Sequence, residues 1–151
     1  SPRRRETMAR VYVTMVLDAD IEQAWGVLRD FNGLPDYHPM FAESHIEDGR
    51  PADQVGCVRN FVDHEGGRIR EELLALSDRE YLCAYRILEA GMPVRNYVSQ
   101  MRLWPVTESG RTFGEWWAEF DVDPADEAAT VERVTETFRQ AFQSVSARFS
   151  G

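Results

Sequence analysis

The residues best suited to chemistry lie in one hairpin. If Asp63-His64-Glu65-Gly66-Gly67 is its turn, Val62 falls opposite Arg68. Counting outward sets Phe61 beside Ile69, Arg59 beside Glu71 and Cys57 beside Leu73. Side chains alternate across a strand, so Cys57, Arg59, Phe61, Ile69, Glu71 and Leu73 share one face, the more apolar one. The other face carries Asn60, Arg68, Arg70 and Glu72 and is expected to be solvated. A cation and a carboxylate opposed on a mostly apolar surface are costly unless paired or used. Two readings are open. Arg59 and Glu71 are a cross-strand ion pair that fixes register, or they are a polar pair in a pocket, with Arg59 holding an oxyanion and Glu71 moving a proton.

Other candidates are weaker. His38 lies in a proline-bounded turn, His45 in a strand and His64 at a hairpin tip. None belongs to a His/Cys/Asp/Glu cluster at metal-ligand spacing, so no metal is expected. Cys57 and Cys83 fall inside expected strands and read as small buried thiols rather than a disulfide. No phosphate-cradling glycine loop, serine elbow or dinucleotide fingerprint occurs, and no cofactor is expected.

The elements that position these residues follow from periodicity. Arg10 to Leu17 alternates, with Val11, Val13, Met15 and Leu17 on one face and Tyr12, Thr14 and Val16 on a partly covered second face. Asp20 and Gln23 read as a capping box for a short helix carrying Ile21, Ala24, Trp25 and Leu28. A second short element follows in Leu34-Pro35-Asp36-Tyr37-His38-Pro39. Six strands are then expected near 42–47, 56–62, 68–76, 80–89, 95–104 and 111–122, joined by Asp-, Ser- and Gly-rich turns. From Pro124 the period becomes helical: Val131, Val134, Phe138, Ala141, Phe142, Val145 and Phe149 form a stripe opposite Glu132, Arg133, Glu136, Arg139, Gln140 and Gln143.

The expected architecture is α+β: a bent seven-stranded antiparallel sheet wrapped around a long C-terminal helix, with two short helices after the first strand. A chain of 151 residues supports one such domain, placed at 8–150, with 1–7 expected to be a disordered leader. The net charge of −9 argues against nucleic acid and anionic membranes as partners. No apolar run is long enough to cross a bilayer and no signal peptide is visible, which points to the cytoplasm. A monomer or homodimer is expected.

At this point a family is visible in the residues. Trp25-Gly26-Val27-Leu28-Arg29-Asp30-Phe31, Leu34-Pro35-Asp36-Tyr37-His38-Pro39, Gly56-Cys57-Val58-Arg59, Glu71-Glu72-Leu73-Leu74, Tyr85-Arg86-Ile87 and Glu115-Trp116 resemble the START-like polyketide cyclase/dehydrase superfamily. The branch most similar holds lachrymatory-factor synthases and many bacterial proteins, and the resemblance runs from Met8 to Phe149. It implies the helix-grip fold and an internal cavity for a small, largely apolar ligand. It aligns Arg59 and Glu71 with the arginine and glutamate those synthases require, with Tyr85 as hydrogen-bond donor. It also places Cys57, Phe61, Leu73, Ile87, Tyr97, Ser99, Met101, Gly114, Trp116, Phe120, Phe138 and Phe142 on the inward, ligand-facing wall. Gly114 is expected to open space there. The activity implied is cofactor-free cyclisation, dehydration or isomerisation of a carbonyl-bearing metabolite, or else non-catalytic carriage of an apolar ligand.

Overall fold

A computed structural model describes residues 7–151. The expected leader therefore lies outside the described residues except for Thr7, which already opens strand β1 (Thr7–Leu17). Helix α1 (Ile21–Leu28) starts at the expected capping box: the Asp20 carboxylate accepts from the Gln23 N–H, and the Gln23 side chain accepts from the Asp20 N–H. Helix α2 (Leu34–Tyr37) has Pro35 in its first turn. Strands β2 (Phe41–Ile46), β3 (Val58–Asp63), β4 (Arg68–Ser77), β5 (Leu82–Glu89), β6 (Val94–Pro105) and β7 (Thr112–Val122) follow, and helix α3 (Pro124–Phe149) ends the chain.

The seven strands form one sheet in the order β1-β7-β6-β5-β4-β3-β2, with every neighbouring pair antiparallel. Strands β2 to β7 are a meander, and β1 closes against β7 at one edge. Two strands start later than their alternation suggests, for backbone reasons. Gly56 has φ +94°, a left-handed turn residue, so β3 begins at Val58. Tyr81 has φ 55°, which holds it out of the ladder and delays β5 to Leu82.

Helix α3 buries Thr130, Val134, Phe138, Ala141, Phe142 and Val145 against the concave face of the sheet. Its stripe is rotated slightly from expectation at the first turns, where Thr130 rather than Val131 is buried. On β1 the second face is more open than expected: Tyr12 is 50 % exposed and Val16 44 %. Trp25 ties α1 to the β4–β5 turn, its Nε1 donating to Asp78 at 2.8 Å, where Arg29 also donates.

Gly114 is the clearest departure from expectation. A Cβ built there would stand 2.8 Å from Cζ of Phe142 and 3.0 Å from Cδ1 of Leu17. Glycine at this position admits the Phe142 ring to the sheet; it does not open a cavity. Gly114→Ala should therefore overpack the core and cost about 1–3 kcal/mol in urea unfolding. Shortening the intruding ring with Phe142→Leu in the same chain should recover part of that loss. Additive losses in the double variant would show that Phe142 is not the group Gly114 accommodates.

Candidate functional site

The β3–β4 hairpin has the register counted from its turn. Arg59 faces Glu71, Phe61 faces Ile69, and Leu73 exchanges backbone hydrogen bonds with Gly56 and Cys57. Arg59 and Glu71 are only 4 % and 5 % exposed. Arg59 Nε donates to Glu71 Oε1 at 2.8 Å, its Nη2 lies 2.7 Å from the same oxygen, and its Nη1 donates to the Phe31 carbonyl at 3.2 Å. The guanidinium also lies 4.1 Å from the ring centre of Phe31 and 4.7 Å from that of Tyr85. At least three of the five N–H donors of an arginine are thus engaged, and the buried Tyr37 hydroxyl is a further side-chain partner of Arg59. Glu71 Oε2 is the oxygen left to the cavity that Glu71 lines.

Two bulges aim this carboxylate. The β4–β5 register shifts between Arg70 and Glu71 and again between Leu73 and Ala75, so Glu71 stands beside Ile87. Bulges bend a strand and redirect its side chains, and they gather near functional sites.

The cavity lies between α2, α3 and the sheet, with a volume of about 50 Å³. The sheet supplies Arg59, Phe61, Ile69, Glu71, Tyr85, Ile87, Tyr97 and Trp116 to its wall. Helix α3 supplies Arg133, Val134, Thr137 and Phe138, and the α2–β2 segment supplies Leu34, His38, Met40 and Phe41. Asp63 and Met92 complete it. Trp116 stacks on Phe138 with ring centres 4.9 Å apart, and its Nε1 donates to both Tyr85 Oη and Ser99 Oγ at 3.1 Å.

Eight of the residues singled out in the sequence therefore meet at one space: Arg59, Glu71, Tyr85, Phe61, Ile87, Tyr97, Trp116 and Phe138. Cys57, Leu73, Ser99, Met101, Gly114, Phe120 and Phe142 are buried but do not line it. Their alternation on the inward face is as read; they sit where helix and sheet touch, or behind the first layer, as Ser99 does behind Trp116. The residues not anticipated come from loops and from α3. Met40, Met92 and Thr137 carry no reading from periodicity, while Arg133 reads as solvent-facing, and is exposed, but precedes Val134 by one position at the edge of the stripe.

Burial sets the protonation states. Burial pushes the Glu71 carboxyl above its ordinary range, more than the Arg59 guanidinium lowers it. For Arg59 itself, burial opposes the charge most strongly, but Glu71, Tyr85 and Tyr37 together outweigh it, so the guanidinium stays protonated. Burial drives the Tyr85 phenol far upward, helped by Glu71, so Tyr85 is a neutral hydroxyl. Cys83 is pushed up to about 11 by burial, and Cys57 is also raised by burial, so neither thiol is an activated nucleophile.

The model for polyketide cyclase / dehydrase and lipid transport proteins matches residues 8–150. The chain belongs to that family. Solved structures agree in fold over 93–96 % of its length. The protein XoxI from Bacillus cereus is 26 % identical, with a TM-score of 0.83 over 93 % of this chain and 95 % of that one. A protein from Nitrosospira multiformis is 26 % identical, with a TM-score of 0.80 over 95 % and 97 %. A norcoclaurine synthase from Thalictrum flavum, solved with a transition-state analogue, matches at 17 % identity and a TM-score of 0.72 over 96 % of each chain. No curated protein matches in sequence. The family and the TM-scores fix the helix-grip architecture expected from the sequence.

His38 joins the cavity wall to the long helix. Its Nε2 lies 2.8 Å from the Thr137 carbonyl and its Nδ1 accepts the Met40 N–H at 3.2 Å, so the ring is neutral, with its proton on Nε2. Burial lowers its pKa below the ordinary 6.5. The folded state thus binds this proton less tightly than the unfolded chain, and the stability it contributes is present above about pH 6.5 and is lost as pH falls below it. Glu71 acts in the opposite sense: its raised carboxyl adds stability as pH falls toward the ordinary carboxylate value of 4.5. Comparing wild type with His38→Gln removes the Glu71 contribution common to both. The stability difference between them should shrink from pH 7.5 to pH 5.5 in urea unfolding. A pH-independent difference would show that His38 is not held neutral by this pair of contacts.

Proposed function

We propose that this protein binds a small, largely apolar, carbonyl-bearing molecule in the cavity and moves a proton on it without a cofactor. Cyclisation, dehydration and isomerisation are the reaction types this covers. The observation that carries the reading is an Arg–Glu pair lining an otherwise mainly apolar cavity, with a neutral tyrosine hydroxyl in the same wall. Glu71 is the proton carrier: a carboxyl raised toward neutrality gives and takes a proton with less bias than an ordinary one. Arg59 holds Glu71 through Oε1, and its positive charge beside the cavity is what would meet an enolate-like oxygen. Tyr85 is held in the wall by Trp116, which donates to its oxygen, and by Ser99, and its neutral hydroxyl would have to turn from Ser99 to donate to the enolate-like oxygen. The buried, unbridged thiols Cys57 and Cys83 fit a reducing compartment, and we place the protein in the cytoplasm.

The carrier reading draws on a different observation. Three Arg59 donors are already committed, and burial of the pair makes it structural as well as reactive. Truncating Glu71 to Ala should cost about 3–5 kcal/mol, because it strands a buried cation. Glu71→Gln keeps the shape and a hydrogen-bonding oxygen and should cost less.

Exchange of the α-protons of phenylacetone in heavy water, followed by proton NMR, separates the two readings. Proton transfer by Glu71 predicts that folded wild-type protein accelerates the exchange, and that Glu71→Gln loses about 10²–10⁴-fold of that acceleration while still binding the ketone. Binding without acceleration by the wild type would favour the carrier. Equal acceleration by Glu71→Gln would remove Glu71 from the mechanism.

A further inference from the structure

The opening of the cavity carries a charge that the proposed chemistry does not use. Two surface recesses flank the cavity, one of about 160 Å³ lined by Met92, Pro93, Asp126 and Thr130 among others, and one of about 420 Å³ lined by Met40, Asp63, His64 and Glu65. Arg133 lines both recesses and the cavity itself. Met40 and Met92 each line the cavity and one recess, so flexible, unbranched side chains form the rim on either side of Arg133.

Volumes decide how a ligand can sit. The inner space of about 50 Å³ is well below the roughly 300–1,000 Å³ of ordinary ligand sites, whereas the hairpin-side recess falls within that range. A molecule reaching Glu71 must therefore extend past the rim and lie against Arg133. The guanidinium of Arg133 makes no ion pair among the described residues. Of the acids nearby, Asp63 is committed to its own turn, its Oδ1 accepting the Glu65 and Gly67 N–H groups, and Asp126 sits in the first turn of α3, where the helix dipole favours a negative charge. Glu65 projects from the exposed hairpin tip. A ligand covering Arg133 strips water from a cation, and an uncharged apolar group would leave it without a partner.

We infer that Arg133 determines specificity by binding an anionic group of the ligand, a carboxylate in the simplest case, at the rim, while the ligand's apolar body enters the cavity toward Glu71. This rests on the reading that the cavity takes a ligand, and it narrows the substrate class to organic acids with an apolar body. It also sets an orientation, acid outward and reacting carbon inward, which apolar contacts alone would not impose.

Isosteric probes test it: 4-phenylbutyrate and its uncharged amide, titrated separately into ¹⁵N-labelled protein and followed by NMR, with the Trp116 indole N–H as the reporter of the cavity wall. The acid should bind about tenfold more tightly than the amide, a usual worth of a charge-assisted contact at a partly wet site. Arg133→Gln should abolish most of that preference while changing amide affinity less than about twofold, and Arg133→Lys should keep part of it. Added salt should weaken the acid and leave the amide unchanged. Equal affinities for acid and amide, or a preference that survives Arg133→Gln, would overturn the inference and leave the cavity reading standing. Acid binding that shifts only the hairpin tip, without Trp116, would mark surface ion pairing and overturn it too. If neither probe perturbs the cavity wall, the cavity reading falls and the specificity role falls with it.

Discussion

A single buried ion pair sets the terms for much of this molecule. Placing Arg59 and Glu71 out of water costs several kcal/mol per charge, and only close pairing with further hydrogen bonds repays it. Each support comes from a different part of the chain: Glu71 from the neighbouring strand, the Phe31 carbonyl from the segment between α1 and α2, and the faces of Phe31 and Tyr85. The pair thus locks hairpin register, fixes where the α1–α2 segment crosses the sheet, and leaves one carboxylate oxygen toward the cavity. The structural and chemical readings of these two residues are not exclusive. The same desolvation that makes the pair demanding also raises the Glu71 carboxyl above its ordinary range.

The space beside that pair exists because α3 packs unevenly. Toward its C-terminal half, Ala141, Phe142 and Val145 meet the sheet closely, and Gly114 lets the Phe142 ring approach the backbone. Toward its N-terminal half the helix presents Thr130, Arg133, Val134 and Thr137, which are shorter or polar, opposite the bulged region of β4. A close-packed interior tolerates few voids, which sets this one, next to bulges and a titratable pair, apart from the rest of the core. His38 holds the other wall by linking the turn after α2 to the backbone of α3.

The outer surface follows different rules. Ion pairs such as Arg70 with Glu47 and Arg86 with Glu72 lie on the half-exposed side of the sheet. Arg70 holds the Glu47 carboxyl down to about 2 through paired hydrogen bonds. These contacts add little individually and chiefly tie neighbouring strands and the β2–β3 connection together. They account for the polar face of the hairpin, while Arg59 and Glu71, one position away on each strand, face inward.

Much of this was determined by sequence alone. Alternation counted outward from the 63–67 turn placed Arg59 opposite Glu71, because a two-residue period and a known turn leave only one register. The capping box at Asp20, the strand order of a meander and the burial of Phe138 and Phe142 were legible for the same local reasons. Tertiary structure decided the rest. Inward-facing Met101, Phe120 and Leu73 look identical in sequence to Trp116 and Ile87, yet only the latter two line the cavity. Which inward positions touch the helix and which face open space depends on sheet curvature and bulges, which no alternation pattern records. Gly114 read as a gap and proved to be a contact, since the filler comes from Phe142, 28 residues away. Arg133 read as solvent-facing because helical periodicity reports a face, and it lies at the edge of that face, where the cavity opens. Periodicity fixes which side a residue points to; what it meets there is set by elements distant in sequence.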